Sequence, residues 1–120
     1  QHAATVALSD DAHVEAQRAV YLERLEALAA WLTEAGLPVE VPGGAFYLWV
    51  PVPLSVAAAA APGESGGFAL GRRLAETAGV VGSPGEAYGP LGADYLRLAV
   101  VQPMDRLNLV AARLEGRSVA

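Results

Sequence analysis

The chain has 120 residues, of which 53% are hydrophobic and 18% charged. That is one domain with enough apolar surface to build a core, which excludes a disordered polymer. A formal charge of −5 weighs against nucleic acid or an anionic membrane as partner, and the absence of cysteine removes disulfides, thiol chemistry and thiolate metal sites.

The first strong periodicity is helical. Val14, Tyr21, Leu22, Leu25, Leu28, Ala29 and Leu32 recur at three- and four-residue steps and predict an amphipathic helix from about Asp10 to Ala35. Ser9, Asp10 or Asp11 can cap its start, and Gly36 and Pro38 stop it. "VEV" at 39 to 41 reads as a short strand, "PGG" at 42 to 44 as a turn, and "AFYLWVPV" as a longer strand that Pro51 and Pro53 end or confine to an edge. The biased stretch "LSVAAAAAPGESGG" reads as a surface loop with room for one helical turn.

Helical spacing resumes in "FALGRRLAETAG" at Phe68, Leu70/Gly71 and Leu74/Ala75, with Gly79 suited to a left-handed C-terminal position. "VVGSPG" predicts a short strand and "EAYGPLGAD" a loop. "DYLRLAVVQP" predicts another strand, and Pro103 opens a last helix striped by Met104, Leu107, Val110, Ala111 and Leu114. The order α, β, β, α, β, β, α implies an α+β two-layer domain, a small sheet with helices on one face.

His2 and His13 lie near one end with no third ligand in view, so no metal is expected. No basic segment opens the chain, and its apolar runs are too short to span a bilayer. The expectation is a soluble cytoplasmic protein without membrane contact.

One residue interrupts its strand. In "DYLRLAVVQP", Leu96, Leu98 and Val100 share one face while Tyr95, Arg97, Ala99 and Val101 share the other. Arg97 carries a permanent charge that needs an anion, water or an open face. If the leucines meet the helices, Arg97 looks out from the uncovered side, toward an anion arriving from outside. The alternative is a salt bridge to Glu40, Glu86 or Asp94.

Four segments in order, "PGGAFYLW", "ETAGVVGSPGEAYGPLG", "DYLRLAV" and "DRLNLVAARL", resemble the C-terminal small domain of a class I/II (fold-type I) pyridoxal-phosphate-dependent aminotransferase. The resemblance covers nearly the whole chain, with residues 1–10 similar to the linker from the large domain and residues 11–120 to the small domain. The run "PGEAYGPLGADYLRLA" is most similar to bacterial N-succinyldiaminopimelate aminotransferases of lysine and cell-wall biosynthesis; an aspartate-type or other amino acid aminotransferase is the alternative.

The resemblance implies that Arg97 binds the α-carboxylate of an amino acid or 2-oxo acid substrate, a task for which a planar guanidinium offers two parallel hydrogen bonds. It also implies substrate contacts for Phe46 and Tyr88, against which stands plain core or turn packing. A substrate role for Glu86 is weighed against simple solvation. Tyr47 and Trp49 alternate with Phe46, and the pattern does not say which face is core. Gly43, Gly44, Gly85 and Gly89 are expected to serve turn geometry.

The departure is as informative as the match. All eight basic residues are arginine, so the lysine that carries the cofactor in this family is absent. Pyridoxal phosphate would be bound mainly by a missing large domain, the complete enzyme would be a homodimer, and this chain alone would be inactive. A rival of another class takes the lysine-free chain at face value: a free-standing, non-catalytic amino-acid-binding or dimerisation module.

Overall fold

Two stretches of alternating side chains build the sheet and decide what lies on each side of it. In a computed structural model describing residues 1–9 and 11–120, "YLWVP" forms β1 (Tyr47–Pro51) and "YLRLA" forms β3 (Tyr95–Ala99). A two-residue strand β2 (Ser83–Pro84) completes an antiparallel sheet of order β1-β3-β2. Leu48 pairs with Leu98 and Val50 with Leu96, so one face is wholly aliphatic; Tyr47 pairs with Ala99 and Trp49 with Arg97, so the other is aromatic and cationic.

Helices cover only the aliphatic face. They are α2 (Ala12–Glu34), the one-turn α3 (Leu54–Ala58), α4 (Gly66–Ala78) and α5 (Met104–Leu114), while α1 (His2–Leu8) contributes no buried residue. Leu48, Val50, Leu96, Leu98 and Val100 are buried together with Leu25, Leu28 and Leu32 of α2, Leu70 and Leu74 of α4, and Leu107 and Leu114 of α5. The expected α+β two-layer architecture is therefore the observed one, and Leu98 and Val100 are core as strand alternation requires.

The departures have physical reasons. "VEV" is not a strand: Val39 and Val41 rest against the core, but Pro38 and Pro42 bracket the segment and it finds no ladder. The stripe on α2 is buried only in its second half; Val14 and Leu22 are exposed because no described element packs closely over the helix there. On α4 the buried line is Gly67, Leu70, Leu74 and Ala78, leaving Phe68 and Ala75 outside.

Segment 1–10, expected as linker, carries α1, which buries nothing. Ser9 closes α1 by donating its hydroxyl to the Val6 carbonyl. Asp11 occupies the N-cap position of α2 without a side-chain bond, and Asp10, the third capping candidate, lies outside the described residues.

α4 is capped at both ends, at its C-terminus by the glycine expected there. The Ser65 hydroxyl accepts from the Phe68 N–H at 3.2 Å, and Gly79 takes φ +64°, where a Cβ is penalised. A feature without a periodic signal is the C-terminal tail. Arg113 and Arg117 donate to the Ala78 and Thr77 carbonyls at the end of α4, and Val119 is fully buried with its N–H bonded to Ala35 O at 2.9 Å. Among the described residues no helix is long and apolar enough to cross a membrane.

Candidate functional site

Arg97 sits at the centre of the middle strand, its Cα opposite Trp49 of β1 on one side and Ser83 of β2 on the other. Two tyrosine rings lie against its guanidinium: Cζ is 4.3 Å from the ring centroid of Tyr47 and 4.2 Å from that of Tyr88. Trp49 braces the group, meeting Tyr88 edge-on at 5.7 Å and Tyr95 at 6.1 Å. A cation–π contact uses the charge of the guanidinium and leaves its N–H donors, which lie in its plane, free for an acceptor.

The hydrogen-bond accounting separates Arg97 from the other arginines. Arg18, Arg24, Arg72, Arg73, Arg113 and Arg117 each donate to a carboxylate or a backbone carbonyl. Among the described residues Arg97 and Arg106 have no such acceptor, and of these two Arg106 is exposed while Arg97 is half-buried. Neither Glu40, Glu86 nor Asp94 forms an ion pair with Arg97 among the described residues. A half-buried cation with two rings against it and its donors unspent is equipped to take a planar anion edge-on.

Tyr88 is delivered by a 3-10 turn, Gly85–Tyr88, that packs against a second turn, Pro90–Gly92. The two backbones touch at Gly85 and Gly92, where a Cβ on Gly85 would overlap Gly92 O and meet Trp49 Cζ3 at 2.9 Å. Glycine is thus required at Gly85 by close approach. Gly89 follows with φ +126°. In the "PGGA" turn the left-handed residue is Ala45, φ +67°, not Gly43 or Gly44.

Of the three residues singled out from the sequence, Arg97 and Tyr88 are brought together and Phe46 is not. Phe46 points to the helix side, stacked on Tyr21 of α2 at 5.2 Å, and touches the group only through Tyr47, whose ring is 4.2 Å away. It also lines a cavity of about 600 Å³ with Tyr21, Leu22, Pro42 and Gly43, of which Arg97 is not part. Glu86 is exposed. Sequence reasoning left Tyr47 and Trp49 undecided and missed Ser83. The parity of β1 could have sided Tyr47 and Trp49 together, but the register that sets them beside Arg97 is a cross-strand fact.

Among the described residues no three of His, Cys, Asp or Glu are grouped to hold a metal ion. Residues 1–114 match the family described as aminotransferase class I and II. Over 115 residues the chain is 34% identical to the LL-diaminopimelate aminotransferase of Nitratidesulfovibrio vulgaris, covering 95% of this chain and 28% of that protein. Over 114 residues it is 38% identical to the 4-dedimethylamino-4-oxo-anhydrotetracycline transaminase OxyQ of Streptomyces rimosus, covering 95% and 28% respectively. Its fold is similar to the crystal structure of the aromatic aminotransferase from Pyrococcus horikoshii, with a TM-score of 0.74 and 28% identity over 94% of this chain and 29% of that one. The chain thus spans between a quarter and a third of the length of each of these proteins.

Proposed function

The chain belongs to the class I and II aminotransferases, and from that premise we propose that it is the substrate-carboxylate-binding portion of a pyridoxal-phosphate-dependent aminotransferase. Residues 1–10 lead from a large domain and residues 11–120 form the small domain of an enzyme that is a cytoplasmic homodimer when complete. Arg97 holds the α-carboxylate of the amino acid, and of the 2-oxo acid in the reverse half-reaction. Tyr88 adjoins that anion, while Phe46, stacked on Tyr21 on the helix side, borders the site through the ring of Tyr47.

The observation that carries this reading is the state of Arg97: half-buried in mid-sheet, away from the helices, with two tyrosine rings upon it and no acceptor for its N–H donors among the described residues. Fixing a carboxylate at two points fixes the orientation of the Cα–H bond, and orientation is a large part of what such an enzyme must supply.

The chain's own residues do not fit the cofactor's seat, because attachment requires a lysine side chain and there is none. When bound by the large domain, pyridoxal phosphate supplies an electron sink for the substrate's α-carbon. This chain alone is inactive in transamination.

For the substrate we propose a diaminopimelate skeleton, N-succinylated as the run "PGEAYGPLGADYLRLA" indicates, in lysine and cell-wall biosynthesis. Relatives named LL-diaminopimelate aminotransferase support the skeleton. The alternative is an aspartate-type or other amino acid aminotransferase, which the 38% identity to a 4-dedimethylamino-4-oxo-anhydrotetracycline transaminase keeps in view.

The test is Arg97→Lys in the complete enzyme. The variant keeps the charge and loses the two-point grip, so kcat/KM for an α-amino acid should fall roughly ten- to a hundredfold, and further in Arg97→Ala. An amine lacking the carboxylate should be little affected. Equal losses for both substrates would mean that Arg97 supports the fold and not the substrate.

A further inference from the structure

Resting on the reading of Arg97 as the carboxylate anchor, we propose that Tyr47 and Tyr88 are positioning residues that clamp its guanidinium, so that a carboxylate can be taken only along the N–H edge. The two rings come from independent elements, Tyr47 from β1 and Tyr88 from the 3-10 turn after β2. Each stands within 4.3 Å of Cζ. An arginine side chain is long and rotamer-rich, and holding it before the anion arrives removes an ordering cost from binding.

Each ring is itself held by further aromatics. Tyr47 lies against Phe46, which stacks on Tyr21 of α2. Tyr88 meets the edge of Trp49, which meets Tyr95. Tyr88 is half exposed, at 50%, so its cost of exposure to water is offset by a contact that only a cation provides. Ser83, with a small polar side chain, is the cross-strand partner of Arg97 on the β2 side.

The ring, not the hydroxyl, does the clamping, and this decides the variants. In the complete enzyme Tyr47→Leu and Tyr88→Leu should each raise the KM for L-glutamate and the Kd for glutarate, a dicarboxylate with no amine to react, by roughly three- to tenfold. Tyr47→Phe and Tyr88→Phe should stay within about twofold of the unmodified enzyme, because the quadrupole of the ring remains. The response to 4-aminobutyrate, which lacks the α-carboxylate, should not follow the leucine variants. In an Arg97→Ala background the leucine substitutions should have no further effect on glutarate binding.

The outcomes separate the two claims. If Arg97→Ala weakens glutarate and the leucine variants do not, the clamp is wrong and the anchor stands. The clamp is also overturned if phenylalanine and leucine variants lose equally, which would assign the effect to the hydroxyls, or if 4-aminobutyrate suffers as much as glutamate, which would assign it to folding. If Arg97→Ala leaves both glutarate and glutamate unaffected, the anchor itself fails.

Discussion

A cation placed in the middle strand of a sheet has a neighbour on each side and cannot swing clear of both. Arg97 is caught in this way between Trp49 and Ser83, and its direction is settled by backbone register before any ligand is present. That it was conspicuous in the sequence follows from its company: Leu96, Leu98 and Val100 are all buried, and an arginine between leucines must point the other way. Tyr88 was visible only as an aromatic in a glycine-rich loop, because its approach to Arg97 depends on a backbone contact between Gly85 and Gly92 that no periodicity encodes. We expect Gly85→Ala to test that contact. The added methyl would collide with Gly92 O and crowd Tyr95 O and Trp49, costing about 1 to 3 kcal/mol in chemical denaturation, as overpacking does. Near-ultraviolet circular dichroism should also change as Tyr88 and Trp49 part. An unchanged midpoint would mean the turns are not locked at this point.

α4 shows how much of an element its termini can announce. Gly79 and the helical spacing before it were enough to place the helix and its buried Leu70 and Leu74, whereas Phe68 has the character of core and is exposed. Burial is decided by which residues face β3. There the small Gly67 admits the Ala93 carbonyl to a 2.8 Å hydrogen bond, and a large side chain at that point would be excluded. Likewise "VEV" has the composition of a strand and lacks a partner, since pairing depends on what runs beside a segment. The loop leading into α4 is tied down by Glu64, whose two carboxylate oxygens accept from Arg72 Nε and Nη2 at 3.1 and 3.2 Å, with the Ala61 N–H at 2.8 Å. The forked bond from Arg72, then the Ala61 N–H, holds the Glu64 carboxyl below its ordinary value of 4.5. A lowered folded value means that the unfolded chain takes up the proton first, so the contribution is complete above pH 4.5 and disappears as pH falls through the folded value. The thermal midpoint of Glu64→Gln should therefore lie below that of the unmodified chain at neutral pH, and the gap should narrow in acid below that ordinary value. A gap that widens in acid would contradict the assignment.

The molecule as a whole is more extended than its length requires. Its radius of gyration is 16.5 Å, with extents of 55 × 32 × 20 Å, where about 14 Å is usual for a compact chain of this size. The excess comes from α1 and the first half of α2, which leave Val6, Leu8, Val14, Val20 and Leu22 exposed. Sequence periodicity could mark that helix as amphipathic, but what covers an apolar face is legible only when the covering element is in the same chain. The same holds for the site: the arginine and its tyrosines are here, and the lysine its chemistry calls for is not. The central claim is that Arg97 anchors the substrate's α-carboxylate, and it is tested most directly by a crystal structure of the complete enzyme with an unreactive α-methyl amino acid. Both carboxylate oxygens should lie in the plane of the Arg97 guanidinium, each about 2.7 to 2.9 Å from one of its nitrogens, with the rings of Tyr47 and Tyr88 still against it. A carboxylate bound elsewhere, with Arg97 turned to an acidic residue of the large domain, would contradict that claim.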